Sequence, residues 1–313
     1  MEMKHNAGDL AQMQSMSLSA KINMSKRRIM EWYDAFNGNV YVSFSGGKDS
    51  TVLLHLVRSI IPDVPGVFVN TGLEYPEIRE FVKKQENITI IRPKMNFKQV
   101  ILKYGYPVAT KEYARKIQYA RKGSQWAQKF VDGSAVDSKG RPSRYKVPEK
   151  WLKLLNAPFQ VSANCCNIMK KNPMHTFERE TGMKGYVGTL ACESKLREQA
   201  WFKNGCNAFK AKTPKSTPLS FWTENDVLTY IKQNNLEIAS VYGEIVETGK
   251  MIDNGMTTVP ELKTSKCDRT GCMFCMFGCH LEKEPNRFQL MKITHPKEYE
   301  FCLKPIERGG GLD

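Results

Sequence analysis

The chain is predicted to fold as an α/β protein with a parallel sheet that carries helices on both faces. Short apolar runs at residues 40–44, 66–70 and 88–93 alternate with segments of helical spacing. This alternation is typical of parallel sheets. The first two runs each end in a polar turn that contains glycine. Because such sheets bind ligands beyond the carboxyl ends of their strands, these two turns mark the expected site.

The remaining elements follow from local signals. An amphipathic helix is expected at residues 29–36, before the first strand, and a further strand at residues 185–190. Thr223 is a predicted helix N-cap, and Asp226 lies three residues later, where it completes a capping box. The last ten residues, with Gly309, Gly310 and Gly311, are predicted to be a loose tail.

The first polar turn has the sequence Ser-Gly-Gly-Lys-Asp-Ser at residues 45–50 and precedes a helix expected to begin near Ser50. The free N–H groups and the dipole of a helix N-terminus attract anions. Gly46 and Gly47 permit close approach to the backbone, and Lys48 adds a full positive charge. These features predict a phosphate site. The spacing differs from GxxxxGK[ST], so this is not a Walker A loop.

Composition limits the class of protein. The 313 residues include 47 Lys and Arg against 32 Asp and Glu, a net charge of +15. This excess favours a polyanionic partner, DNA or RNA, although a diffuse solvated face gives the same total. The N-terminus lacks the apolar core of a signal peptide, and no apolar run approaches the ~18 residues of a membrane span. We therefore predict a cytoplasmic protein with no membrane association.

Lysine, arginine and aromatic residues are mixed within a basic insertion at about residues 103–153. That mixture suits a nucleic-acid surface, and an exposed helical insertion with a solvated basic face is the alternative. We divide the chain into a polar, helical extension (1–29), a nucleotide-binding domain that contains the insertion (30–220) and a helical, cysteine-rich segment (221–313).

Five of the nine cysteines are clustered, as Cys165-Cys166 and as Cys272, Cys275 and Cys279. Without a signal peptide, such clusters indicate a metal or redox site rather than disulfides. Thiolates are soft ligands that suit iron or zinc. A four-thiolate iron–sulfur site, a zinc knuckle that also uses Cys267, and buried thiols without metal all remain open.

Five motifs in order, across roughly residues 30–280, resemble the phosphoadenosine phosphosulfate (PAPS) reductase family of the PP-loop ATP pyrophosphatase superfamily. They are residues 45–50, 70–77, Cys165-Cys166 with 170–173, 188–197 and 218–227. The resemblance implies an adenine nucleotide α-hydrolase-like, Rossmann-like fold. It also implies ATP as a ligand and Mg²⁺ held by Asp49 and Glu74.

The resemblance assigns roles to individual residues. The implied catalytic residues are Lys48, Asp49, Arg197 and Cys279. The implied nucleotide-binding residues are Ser43, Ser45, Gly46, Gly47, Lys48, Asp49, Ser50, Asn70, Thr71, Gly72, Glu74, Gly188 and Arg197. The implied metal ligands are Cys165, Cys166, Cys272 and Cys275, around a [4Fe–4S] cluster or, alternatively, Zn²⁺, with Cys267 and Cys279 as alternates.

One departure from the reductases decides between functions. Their attacking cysteine lies in a separate ECGLH-like tail, whereas the nearest match here, residues 278–282, follows Cys275 almost directly. Residues 269–278 instead resemble the reductase-like proteins of mobile elements and of DNA phosphorothioation systems. That similarity implies cleavage of ATP to AMP and pyrophosphate, a cysteine desulfurase or other sulfur donor, and other components of a modification complex.

Several alternatives remain. The first is an adenylyl-sulfate (APS) or PAPS reductase that uses Cys279 as the nucleophile. The others are a tRNA thiolation enzyme and a non-catalytic module that binds nucleotide and DNA. The sequence leaves homo-oligomer formation open.

Overall fold

The computed structural model describes residues 3–253 and 258–305, so the predicted glycine tail at Gly309–Gly311 lies outside the described residues. The chain forms two compact units. The first unit contains Met1–Asn70, Glu74–Ile91 and His175–Thr270, and the second contains Thr71–Leu73, Arg92–Met174 and Gly271–Asp313. Both units are discontinuous in sequence, and they do not coincide with the predicted domain boundaries.

The first unit is built on a parallel sheet, as predicted. Its strands are β1 (Val40–Ser43), β2 (Gly66–Val69), β3 (Ile88–Ile91) and β4 (Lys184–Val187). They lie in the order β3-β2-β1-β4, and every neighbouring pair is parallel. β1 is therefore an inner strand, and the residues that follow it emerge beside those that follow β2.

Helices flank this sheet and also occur in the second unit. Within the described ranges they are α1 (Ala7–Ser15), α2 (Leu18–Ala35), α3 (Lys48–Arg58), α4 (Pro76–Lys83), α5 (Phe97–Tyr104), α6 (Lys111–Ala120), α7 (Gln125–Asp132), α8 (Glu149–Leu152), α9 (Asn172–Thr181), α10 (Lys195–Asn204), α11 (Glu224–Gln233), α12 (Arg287–Thr294) and α13 (Pro296–Leu303). None of them combines the length and apolar character needed to span a lipid bilayer.

The N-terminal helices are part of the core rather than an extension. The predicted helix at 29–36 is the second half of α2, and the proposed boundary at residue 29 falls inside it. Ile29 and Trp32 are fully buried on this helix. Lys21 is buried too, and its Nζ donates to Asp226 Oδ2 at 2.7 Å. The apolar face of α2 thus packs in the first unit, which composition alone did not reveal.

One local prediction is confirmed and another is corrected. α11 begins after Thr223, with the predicted capping box to Asp226. α4 begins at Pro76, and the first helical position is one that favours proline. α3 begins at Lys48 rather than near Ser50, because Gly47 already serves as its N-cap. The helix therefore starts inside the Ser-Gly-Gly-Lys-Asp-Ser motif.

An antiparallel hairpin in the first unit was not predicted. Its strands are β5 (Ile245–Asp253) and β6 (Thr258–Thr264), and Val246 pairs with Lys263. Most of the β5 side chains are exposed or half-buried, so they do not alternate clearly between apolar and polar. Gly249 and Pro260 interrupt the pattern further. A strand that lacks both apolar–polar alternation and a continuous apolar run is hard to recognise in a sequence.

The second unit contains the basic insertion and the clustered cysteines. α6 and α7 form a helical hairpin in the insertion. Helices here are compatible with both interpretations of the basic insertion, the nucleic-acid surface and the solvated basic face. An apolar cluster lies beneath it, formed by Ala109, Ala114, Ile117, Val147, Leu154, Val161 and Ala163. This small core gives the insertion a fixed structure of its own.

Candidate phosphate loop and cysteine centre

The loop between β1 and α3 is held by its own serines. The Ser50 hydroxyl donates to the Gly47 carbonyl at 2.9 Å and accepts from the Ser45 N–H at 3.1 Å. Gly46 has a φ of +72°, and a Cβ there would lie 2.8 Å from the Ile78 side chain. Only glycine fits this position without strain. The loop is therefore a rigid turn that opens a helix, as the sequence predicted.

Lys48 lies in this loop with only 3% of its side chain exposed. Its Nζ donates to the Asp268 carbonyl at 2.8 Å and lies 3.0 Å from Glu224 Oε1. Burial alone would lower the pKa of Lys48, but the carboxylates of Asp49 and Glu224 raise it above its ordinary value. Lys48 is therefore a fixed positive charge at the mouth of the loop.

Two arginines add to this charge from other segments. The Arg197 guanidinium pairs with Glu193, and Arg269 Nη1 lies 3.6 Å from the other oxygen of that carboxylate. Both arginines act electrostatically on Asp49. The structure thus brings together Lys48, Asp49 and Arg197, all predicted as site residues.

Asp49 has the features of a cation ligand. Its Oδ1 atom is buried and accepts no hydrogen bond, and the nearest cationic atom, Lys48 Nζ, is 3.9 Å away. Burial raises the pKa of this carboxyl, while Lys48 and the two arginines lower it in part. A buried carboxylate oxygen without a donor is costly unless a ligand satisfies it. Hard oxygen ligands of this kind suit Mg²⁺.

Side chains of the first unit occupy part of the loop. The Lys48 N–H donates to the Tyr242 hydroxyl at 3.2 Å, and the Gly47 N–H donates to Ser45 Oγ at 3.3 Å. Tyr242 in turn shares a 2.7 Å hydrogen bond with Thr270 Oγ1. These oxygens satisfy the N–H groups that a phosphate oxygen would use. The Tyr242 hydroxyl must therefore leave, or contact the ligand itself, when an anion enters.

Tyr242→Phe is expected to tighten the binding of inorganic pyrophosphate about fivefold. The variant removes the internal partner of the Lys48 N–H, and one hydrogen bond contributes about 1 kcal/mol. Isothermal titration calorimetry measures the change. Tyr186→Phe is the matched control, because its buried hydroxyl donates to the Ile29 carbonyl at 2.8 Å and makes no contact with the loop. Weaker binding by Tyr242→Phe would instead mean that the hydroxyl contacts the anion.

The other predicted nucleotide residues have varied positions. Ser43 ends β1, and Asn70 follows β2, so both lie at the carboxyl edge of the sheet. Glu74 is buried in the first unit, whereas Thr71 and Gly72 belong to the second unit. Their contact with a nucleotide stays a prediction.

Gly188 has a packing role in the structure. A Cβ at this position would lie 3.0 Å from the Asp49 carbonyl and 3.2 Å from Ser50 Cα. Glycine lets the chain after β4 approach the first turn of α3. Its part in nucleotide binding stays a prediction.

The second unit brings the four predicted metal ligands into one neighbourhood. The Sγ atoms of Cys165 and Cys166 are 3.9 Å apart. Cys272 and Cys275 form one turn, closed by a 3.1 Å hydrogen bond between the Cys275 N–H and the Cys272 carbonyl. Both of them act electrostatically on Cys165. These four thiols therefore form a candidate metal centre.

The paired thiols titrate differently. The pKa of Cys166 is lowered to about 6 by the hydrogen bond between Cys166 and Cys165 and by three nearby lysine ammonium groups. The same hydrogen bond, together with burial, raises the pKa of Cys165. The pair is therefore ready to supply one thiolate near neutral pH.

The alternate ligands are arranged differently. Cys267 lies in the first unit, where its thiol donates to the Arg269 carbonyl at 3.0 Å. Cys279 begins a short helical turn in the second unit, and burial raises its pKa. Among residues 3–253 and 258–305, no three His, Cys, Asp or Glu side chains converge closely enough to hold one metal ion.

Sequence reasoning missed several residues of the loop environment. Tyr242, Glu224 and Asp268 contact Lys48, and Arg269 faces Asp49. Arg269 lies just before the CxxC motif, which was the only signal that could have drawn attention to it. The others reach the loop through the tertiary fold, and no local pattern marks them.

Three relatives illustrate what the chain resembles. It is 27% identical over 218 residues to an adenosine 5′-phosphosulfate reductase of Staphylococcus haemolyticus, covering 69% of this chain and 70% of that protein. It is 24% identical over 234 residues to a phosphoadenosine 5′-phosphosulfate reductase of Buchnera aphidicola, covering 74% and 72%. An uncharacterized protein of Methanocaldococcus jannaschii is 37% identical over 93 residues, only 27% of this chain and 22% of that protein.

A family model supplies the wider match. The model described as the phosphoadenosine phosphosulfate reductase domain matches residues 39–136 and 135–277. These ranges include the phosphate loop, both arginines and all four predicted metal ligands. The family model matches well over half of this chain, so the chain belongs to the phosphoadenosine phosphosulfate reductase family.

Proposed function

We propose that this protein binds a sulfated adenine nucleotide, APS or PAPS, at the phosphate loop and reduces its sulfur to sulfite. One observation carries the proposal: the family match runs through both the loop and the cysteine centre. Relatives named as APS or PAPS reductases align with 69% and 74% of the chain.

The residues of the loop have clear roles in such a reaction. Lys48, Arg197 and Arg269 supply positive charge for the nucleotide phosphates and for the phosphate oxygen that becomes the leaving group. Fixed charges of this kind stabilise a transition state without reorganisation. Their positions are held by Glu224, by the Asp268 carbonyl and by Glu193. Lys48 is the most buried of the three, so solvent screens its charge least.

Cys279 is the candidate nucleophile of this first proposal. Its thiolate attacks sulfur, so that an S–S bond forms, the S–O bond breaks and the nucleoside phosphate leaves with the electron pair. A dithiol reductant then releases sulfite and regenerates the thiol. Because burial raises the pKa of Cys279, the reaction should speed up as pH rises above neutrality.

We keep a second candidate, an ATP pyrophosphatase that supports sulfur insertion into nucleic acid. The unsatisfied Asp49 Oδ1 favours it, because a carboxylate beside the loop suits Mg²⁺ on a triphosphate. A nucleic-acid phosphate would attack the α-phosphorus of ATP and release pyrophosphate. Sulfur from a cysteine desulfurase or other donor would then displace AMP. DNA phosphorothioation and tRNA thiolation are two forms of this chemistry.

Both candidates include the cysteine centre. Cys165, Cys166, Cys272 and Cys275 would hold a [4Fe–4S] cluster, which supplies a charged, redox-capable group when bound. Thiolates also suit Zn²⁺, which is the alternative metal. The lowered pKa of Cys166 favours ligation, because the thiolate is the binding form.

One experiment separates the candidates. Anaerobically purified protein is incubated separately with ATP, APS and PAPS, with thioredoxin as reductant, and pyrophosphate, AMP and sulfite are measured. Sulfite from APS or PAPS supports reduction. Pyrophosphate from ATP, especially if added DNA or RNA stimulates it, supports the second candidate. Tight nucleotide binding without turnover of any of the three would leave only a non-catalytic binding module.

A further inference from the structure

The positive charge of the chain is concentrated in one stretch of the second unit. Residues 92–174 contain 18 Lys and Arg against four Asp and Glu, while the whole chain contains 47 against 32. The rest of the chain, with 29 against 28, is nearly neutral. A basic proteome or a diffuse solvated face would spread this excess evenly. The concentration indicates a dedicated polyanion surface.

The α6–α7 hairpin presents aromatic rings within this stretch. A tight turn at residues 121–124 joins the helices, and Gly123 in it has a φ of +79°. Tyr119 of α6 and Trp126 of α7 meet across the turn, with ring centroids 6.3 Å apart. The Arg115 guanidinium lies 5.5 Å from the Trp126 centroid. These three side chains form a continuous surface, here called the Trp126 platform.

The platform is exposed although its support is buried. Trp126 is 46% exposed and Tyr119 is 49% exposed, whereas Ala114, Ile117 and Ala127 behind them are buried. Tyrosine and tryptophan are enriched at interfaces, because each combines an apolar ring with a polar group. The small residues beneath keep both helices close together. The rings therefore form a fixed surface that needs no ordering when a ligand binds.

The hairpin also carries exposed lysines. Lys122 in the turn and Lys129 on α7 are both exposed. Lys116, in contrast, is buried, and its Nζ lies 2.6 Å from Glu112 and 4.2 Å from the Phe130 centroid. Lys116 thus holds the hairpin together, and the other two lysines remain at the surface. The same hairpin therefore carries positive charges that can bind a polyanion and aromatic rings on which flat groups such as bases can stack.

We propose that the Trp126 platform binds single-stranded nucleic acid. Bases would stack on Trp126 and Tyr119, while Arg115, Lys122 and Lys129 contact the phosphates. A duplex hides its base faces, so aromatic stacking favours an unpaired strand. The platform would serve the second candidate function by holding the acceptor strand. Its test measures binding alone, without nucleotide turnover, and so can fail while either proposed reaction stands.

The test is fluorescence anisotropy with a labelled single strand of about 20 nucleotides, as DNA and as RNA, at several salt concentrations. We expect Trp126→Ala to weaken binding about tenfold. Trp126→Phe, which keeps a ring, should restore most of the affinity. Lys122→Glu should weaken binding and lower the salt slope by about one or more. Lys250→Glu is the matched control, because this lysine is exposed on β5 in the other unit.

Two results would overturn the proposal. One is equal affinity for single strand, duplex and inorganic polyphosphate with no effect of Trp126→Ala, which would mean purely electrostatic attraction. The other is no binding of the single strand at low salt by the wild-type chain, which would leave the platform to a protein partner. Thermal unfolding of Trp126→Ala and Trp126→Phe shows whether the hairpin itself survives. If only the alanine variant unfolds, the phenylalanine and Lys122→Glu variants decide the outcome.

Discussion

Lys48→Met is expected to reduce turnover of the nucleotide substrate at least a hundredfold. Glu224 and the Asp268 carbonyl fix the Lys48 ammonium at the loop. Removing one preorganised charge from a transition state typically costs about 10²–10³ in rate. Methionine has a similar length and stays compatible with a site that is only 3% exposed. The readout is release of sulfite or pyrophosphate, whichever substrate the wild-type protein uses.

The control is Lys83→Met on α4. The Lys83 side chain is 65% exposed and pairs with the exposed Glu80, so its loss should leave turnover within about twofold. Circular dichroism and thermal unfolding show whether Lys48→Met remains folded. A folded Lys48→Met protein with wild-type turnover would contradict the assignment of the phosphate site to this loop.

Cys272→Ala is expected to abolish the cysteine centre. We expect the wild-type protein, purified without oxygen, to be brown and to absorb at about 400 nm, as iron–sulfur proteins with four cysteine ligands do. Loss of one thiolate should remove most of the colour and the acid-labile sulfide. Iron analysis and the absorption spectrum measure the effect. The Tm should fall as well, because a bound metal stabilises only the folded state.

Cys302→Ala is the matched control. Cys302 is also in the second unit, but it is buried, with 6% exposed, and is not one of the predicted metal ligands. Its colour and iron content should match the wild type. A colourless wild-type protein that carries zinc would overturn the cluster and favour the zinc alternative. Retention of colour and iron in Cys272→Ala would transfer the ligand role to another cysteine, with Cys279 the first to examine.

The parallel sheet and the phosphate loop could be predicted because their signals are local. Four apolar runs gave the four strands, and the glycines at 46 and 47 marked the turn that opens α3. The capping box at Thr223 was equally local, since three residues separate its partners. Periodicity and capping act over a few residues, so a single sequence is enough to read them.

The environment of the loop could not be predicted because it depends on distant contacts. Tyr242 lies 194 positions after Lys48, and Asp268 lies 220 positions after it. No periodic pattern connects residues so far apart. The β5–β6 hairpin was missed for a different reason, because its mostly solvated strands carry too little apolar alternation. The insertion could be recognised as basic and aromatic, but its α6–α7 pairing decides which rings are exposed.

The Tyr242 hydroxyl connects the phosphate loop to the segment that precedes the CxxC motif. Tyr242 contacts both the Lys48 N–H and Thr270. Cys272 follows Thr270 by only two residues in the sequence. An incoming phosphate that displaces the hydroxyl would also disturb its hydrogen bond with Thr270, which lies close in sequence to the first cysteine of the CxxC turn. We therefore expect thiol reactivity at Cys272 to change when nucleotide binds, and by reciprocity oxidation of the CxxC thiols to change the affinity for nucleotide.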